Sequence, residues 1–248
     1  MKKICVMLMC CTLVVAMMLG STTAYATTKE SLPTSKTQRA FEPTERFVRL
    51  ITDYFNQQNA YTVFDEEENN ISDKFYSDNI NNYKSANFNA IRLYVVNNVS
   101  YFSKTTIEKV PSNITASYTN GGITPYATER KYVKQEDSYI ASANSSIYGT
   151  ISIDCTATLT GSFVCNYNTG VISSYSGPTL SFSYEPENFD DTSSLNVSAN
   201  NISTSAKISS NKYSITFTAY YDVTGTYNTF APFTFVKNKG ITITGTPN

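Results

Sequence analysis

The 248-residue chain contains no histidine, and that absence decides more about its chemistry than any residue present. Ser-His-Asp and Cys-His catalysis need an imidazole that exchanges protons near neutral pH, and His-ligated zinc, copper and iron sites need it as a ligand. Carboxylate chemistry, Ser-Lys chemistry and oxygen-ligated calcium are left. For the second, Ser77-Asp78-Asn79 matches one element of the penicillin-recognising enzymes, whose nucleophile motif Ser-x-x-Lys precedes it. Here the notable copy, Ser209-Ser210-Asn211-Lys212, follows it and no Lys-Thr-Gly is present. The tripeptide is therefore read as a product of an Asn- and Ser-rich composition.

Carboxylate chemistry of the glycosidase kind needs two acids set apart in different environments. The candidates are Asp65 to Glu68, then Glu129, Glu136 and Asp137, then Glu185, Glu187, Asp190 and Asp191. They fall in runs between expected strands, where charges are normally solvated, and the chain has no tryptophan on which to grip a sugar. Calcium would draw on Asp65, Glu67 and Asn69, or on Glu187, Asp190 and Asp191, but neither stretch has the hand-loop spacing with its central glycine and terminal glutamate. No catalytic residue, metal site or cofactor is expected. Tyrosine is abundant, with 19 copies. Tyr148, Tyr167, Tyr175 and Tyr220 are candidates for an exposed binding face, although tyrosine also suits half-buried strands.

Cys155 and Cys165 are the two cysteines outside the first 26 residues. Ile151, Ile153, Cys155 and Ala157 alternate on one side of Leu159-Thr160-Gly161, and Phe163, Cys165 and Tyr167 alternate on the other. A three-residue hairpin loop takes a left-handed residue in last place, which suits Gly161. That register sets Cys155 opposite Cys165 at a non-hydrogen-bonded position, where a cross-strand disulfide fits. A disulfide closing so short a loop would add about 2–3 kcal/mol.

These residues need elements to position them. Residues 42–104 read as a helical segment. Pro43 suits the first helical position and Glu45 the positive end of the helix dipole. Phe47, Leu50, Ile51, Tyr54 and Phe55 then form a stripe through Asn56. Phe75, Ile80, Tyr83, Phe88, Ile91, Tyr94 and Val95 predict one or two further helices, with Ser72 and Ser85 as caps, although Ile91, Leu93 and Val95 also alternate like a strand. From about Thr105 the texture changes to strands. Residues 213–224 show a clear period of two, echoed by Leu180, Phe182 and Tyr184 and by Ile202, Thr204, Ala206 and Ile208. Short strands bounded by Gly, Asn and Pro, without a βαβ rhythm, predict an antiparallel sandwich over residues 105–248. The expected fold class is α+β, mainly β, with an N-terminal helical segment packed on a C-terminal antiparallel β-sandwich.

Lys2-Lys3, the apolar run from Ile4 to about Leu19 and Ala24-Tyr25-Ala26 have the order of a cleavable signal peptide of bacterial style over residues 1–26. Residues 27–41 read as a flexible lead-in. All five methionines and three of the five cysteines would leave with the signal, and the formal net charge of −1 would become more negative. That sign argues against nucleic acid and anionic membranes as partners, and no stable membrane anchor is visible. The expectation is a secreted, extracellular, non-catalytic protein that binds a glycan or protein ligand. A carboxylate-dependent hydrolase and a membrane-active β protein are the alternatives.

Overall fold

The computed structural model of the chain describes residues 43–109, 128–145, 149–187, 195–227 and 232–247. Residues 1–41, which carry the expected signal and lead-in, lie outside the described residues, as do Tyr148, Asp190 and Asp191.

Helix α1 spans Glu45–Asn56 and buries Phe47, Ile51 and Tyr54. Its start falls later than Pro43, because the Thr44 side chain accepts a hydrogen bond from the Phe47 N–H and caps the helix. A 3-10 turn, Gln58–Ala60, leads into strand β1, Tyr61–Phe64, a short strand among residues expected to be helical. Helices α2, Ser72–Lys84, and α3, Phe88–Asn98, follow. Leu93 is 65% exposed, so the helical period of Ile91 and Val95 prevails over the strand-like alternation. Neither expected serine is an N-cap. The Ser72 hydroxyl accepts from the Val63 N–H and ties α2 to β1, Ser85 ends α2, and the Asn87 side chain caps α3. Among the described residues no helix is long and apolar enough to cross a membrane.

The remaining strands are β2 Tyr101–Lys109, β3 Thr128–Ser145, β4 Gly149–Asn166, β5 Ile172–Pro186, β6 Leu195–Ile208, β7 Ile215–Tyr227 and β8 Phe233–Gly245. They make two antiparallel sheets, one ordered β1-β2-β3-β4-β5 and the other β6-β7-β8. The fold is therefore mainly antiparallel β, in two sheets, with its helices in the N-terminal part. Ile215, Phe217, Ala219, Tyr221 and Val223 of β7 and the odd-numbered residues of β4 from Ile151 to Cys165 are buried in one shared core, which is how a period of two covers a sheet face. The pattern is weaker along β6. A register shift between Asn200 and Ser203 leaves Ile202 49% exposed. A second, aromatic core joins the helices to the opposite face of β1 and β2. There Tyr54, Phe75 and Phe102 meet edge-on, with ring centroids 5.1 to 5.9 Å apart.

The expected hairpin at residues 159–161 is not formed. β4 runs unbroken for 18 residues and pairs with β3 along its whole length. Cys155 and Cys165 are ten residues apart on that one strand, roughly 33 Å at the strand rise, far beyond the ~7 Å that a disulfide spans. Both are buried free thiols, and burial raises the pKa of each. Gly161 serves close packing, since a Cβ there would lie 2.7 Å from the Phe217 ring. The reversal comes instead at Asn166-Tyr167-Asn168-Thr169-Gly170. Gly170 has φ +70 there, and the Asn166 side chain accepts from the N–H groups of Asn168 and Thr169.

Candidate functional site

The sheets are unequal, and the site follows from that inequality. β8 packs against β3, β7 lies over β4 and β5, and β6 lies against β5. With five strands below and three above, β1 and β2 run on past the open edge of β8. The inner faces of β1 to β3 and that edge enclose a groove of about 620 Å³. Tyr101, Ser103 and Thr105 reach it from alternate positions of β2, and Gln135 and Asp137 do so from β3. The residues between them, such as Phe102, face the helices.

Asp137 is 3% exposed. Its Oδ1 accepts from the Ser103 hydroxyl at 2.7 Å and from Gln135 Nε2 at 3.2 Å. Gln135 also donates to Ser103 Oγ, and the Thr105 hydroxyl donates to Gln135 Oε1 at 2.5 Å. Burial pushes the Asp137 carboxyl above the usual carboxylate range, against the hydrogen bonds from Ser103 and Gln135 and the nearby Lys239 charge. Lys239, on the inward side of β8, sets its ammonium 4.6 Å from the Tyr101 ring centroid and 4.5 Å from that of Tyr139, a cation–π arrangement. Burial lowers its pKa, and Asp137 and Glu68 oppose that shift. Tyr101 is stacked on Phe64 at 4.8 Å, and burial pushes its hydroxyl up to about 12.

A second group of buried charges lies on the helix side of the same sheet. Asp154 is 4% exposed. It accepts from the Thr44 hydroxyl that also caps α1, and its carboxyl shares a hydrogen bond with Glu187. Arg92 of α3 grips Glu187 through both Nε and Nη2. Burial first, and the Glu187 charge second, raise Asp154 to about 7. Two carboxyls in contact leave no room for a sugar and a water between them. The adjoining cavity, beside Phe47, Tyr139 and Asp154, is only about 10 Å³, about one water. This cluster locks the helices to the sheet.

The other expected acids are dispersed. Asp65 is held below the usual range, first by the Asn69 side chain, and also accepts from the Glu67 and Asn69 N–H groups. Glu66, Glu67 and Glu68 are exposed, with Glu68 at the groove rim. Glu129 pairs with Lys131 at 3.7 Å and Glu136 with Lys134 at 3.0 Å, while Glu185 meets Arg46. Ser77-Asp78-Asn79 lies in α2, where Asp78 pairs with Lys74 at 2.5 Å, and Ser209 to Lys212 form the β6–β7 turn. Of the expected tyrosines, Tyr167, Tyr175 and Tyr220 are exposed. They are spread over the β4–β5 turn, β5 and β7, and only Tyr220 lines the groove.

The chain matches no family model, no curated protein and no solved structure.

Sequence reasoning missed Asp154, Arg92, Ser103, Gln135 and Lys239. A signal existed for Asp154, which is the lone charge in the 18 residues of β4. For Ser103 and Gln135 no signal existed, because nothing local marks where the smaller sheet stops over the larger one.

Proposed function

We propose that the protein is exported and acts outside the cell as a non-catalytic binding protein, holding its ligand in the groove between β8 and the inner face of β1 to β3. The observation that carries this reading is the inequality of the two sheets. A sandwich normally buries both inner faces, yet here a lane 620 Å³ in volume is left beside β8. It is lined by hydroxyls, the amides of Gln135 and Asn238 and the carboxylates of Glu68 and Asp137, of which Ser103, Thr105, Gln135 and Asp137 are oriented by their mutual hydrogen bonds. A few convergent polar groups in a concavity of this size are what ligand recognition uses. Export draws on the basic, apolar and small-residue order of residues 1–26.

A carboxylate-dependent hydrolase is the second reading. It draws on Asp137, whose raised pKa suits a general acid, and on Glu68 at the same groove's rim.

The test begins with the protein secreted by its own host, where intact mass is expected to start at Thr27. Glycan and peptide arrays follow, with Thr105→Trp as the groove-filling variant, because Thr105 is exposed and lines the lane. Binding abolished by Thr105→Trp supports the reading, and binding unaffected by it places the ligand elsewhere. Turnover of any bound glycan that disappears in Asp137→Asn would favour the hydrolase.

A further inference from the structure

Resting on the reading of the groove as the binding site, we propose that its ligand is an extended peptide, added to the open edge of β8 as a fourth strand of the smaller sheet, with a lysine or arginine side chain set against Asp137. Five consecutive residues, Gly240 to Thr244, line the groove. A strand that presents a face contributes every second residue, so an unbroken run means that the backbone edge itself forms the wall. Among the described residues β8 pairs with β7 alone, and its other edge carries main-chain donors and acceptors without a strand partner. A lone edge of this kind is a template for strand addition. The place next to it, over β2, is where a further strand of that sheet would lie. The edge that lines the groove is about 16 Å long at the strand rise, which matches a peptide of about five residues.

The floor sets the side-chain preference. Every second residue of the added strand faces Tyr101, Ser103, Gln135 and Asp137, a hydrogen-bonding surface with a carboxylate at its base and Glu68 at its rim. The nearby cation, Lys239, is turned onto the Tyr101 and Tyr139 rings. A cationic side chain on the ligand therefore meets two carboxyl groups, Asp137 and Glu68, that form no salt bridge among the described residues. A glycan is less well served. The Tyr101 ring is engaged by Phe64 and Lys239, and the Tyr220 ring covers Gly240, whose Cβ would lie 3.0 Å from it.

The test is selection of ten-residue peptides from a random displayed library against the full secreted chain. Enriched peptides are expected to alternate, with Lys or Arg recurring on one face, and to lose at least tenfold in affinity on Asp137→Asn. Methylating the backbone nitrogens of alternate residues should abolish binding in one phase and spare it in the other, since an added strand bonds β8 along one edge only. Those amides of Gly240 to Thr244 that point away from β7 should exchange more slowly when peptide is bound. Equal loss in both methylation phases overturns the added strand, and no selection of basic residues overturns the cation set against Asp137. If no peptide enriches while a glycan binds and Thr105→Trp abolishes that binding, the peptide is overturned and the groove stands. If the selected peptides bind Thr105→Trp as well as the native protein, the groove reading fails too.

Discussion

Asp154 and Asp137 stand on neighbouring strands of the same sheet, buried to 4% and 3% exposure, and face opposite ways. Asp154 looks toward the helices, and everything around it is closed: Thr44 caps a helix with the hydroxyl that it donates to this acid, and Arg92 holds the adjoining Glu187. Asp137 looks into the lane beside β8, and its partners Ser103 and Gln135 line that lane with it. Both acids are raised by burial, so the pKa shift alone does not distinguish a structural acid from one that meets a ligand. The distinction lies in what covers each one. Helices cover one face of β1 and β2, whereas the three-stranded sheet stops short of the other.

Breaking the closed side should have the largest effect. Arg92→Leu leaves two buried carboxyl groups without their cation and is expected to cost about 3–5 kcal/mol, measured by urea unfolding at neutral pH. A loss below 1 kcal/mol would mean that the cluster does not hold the helices down. Thr44→Ala removes a helix cap and a partner of Asp154 together, and about 1–2 kcal/mol is expected.

The pH dependence separates the acids more finely. Asp154 is raised to about 7 when folded and titrates near 4 when unfolded. Between those values the folded state holds a proton that the unfolded chain has lost. Its contribution to stability is therefore full below about pH 4 and is lost as pH rises through about 7. Asp154→Asn should flatten the fall in stability over that window. A curve unchanged from the native protein's would show that Asp154 ionises normally.

Asp137→Asn keeps the shape of the buried side chain and an oxygen to accept from Ser103 and Gln135, and is expected to change stability by less than about 1 kcal/mol, while the tenfold loss appears in peptide binding. A stability cost matching that of Arg92→Leu would erase the contrast between the two sides. Reductant should have the smallest effect, leaving the unfolding midpoint unchanged. Cys155 and Cys165 sit on the strand shared by both sides and are not bridged.

Periodicity made much of the fold legible. The stripe from Phe47 to Phe55 and the alternation in β7 each follow from local geometry, and both elements stand where the pattern placed them. The Cys155–Cys165 hairpin shows where pattern runs out. A three-residue loop pairs residues of equal parity, so a hairpin about Thr160 and one continuous strand put the same odd-numbered residues on the core face. Leu159, fully buried, fits the strand and is wasted in a loop. That clue was outweighed by a glycine whose use is to let Phe217 approach.

By itself, the sequence determined that histidine chemistry is absent and that the helices gather in the N-terminal part, ahead of the long strands. It also determined which residues of β4 and β7 turn inward, because these are matters of composition and short-range period. Only the tertiary structure decided that β4 runs straight, that Asp154 meets Arg92's partner Glu187, and that β8 stops over β3. Each depends on which strands pair and how far one sheet extends over the other, and those are set by contacts between residues far apart in the chain, which no local period encodes.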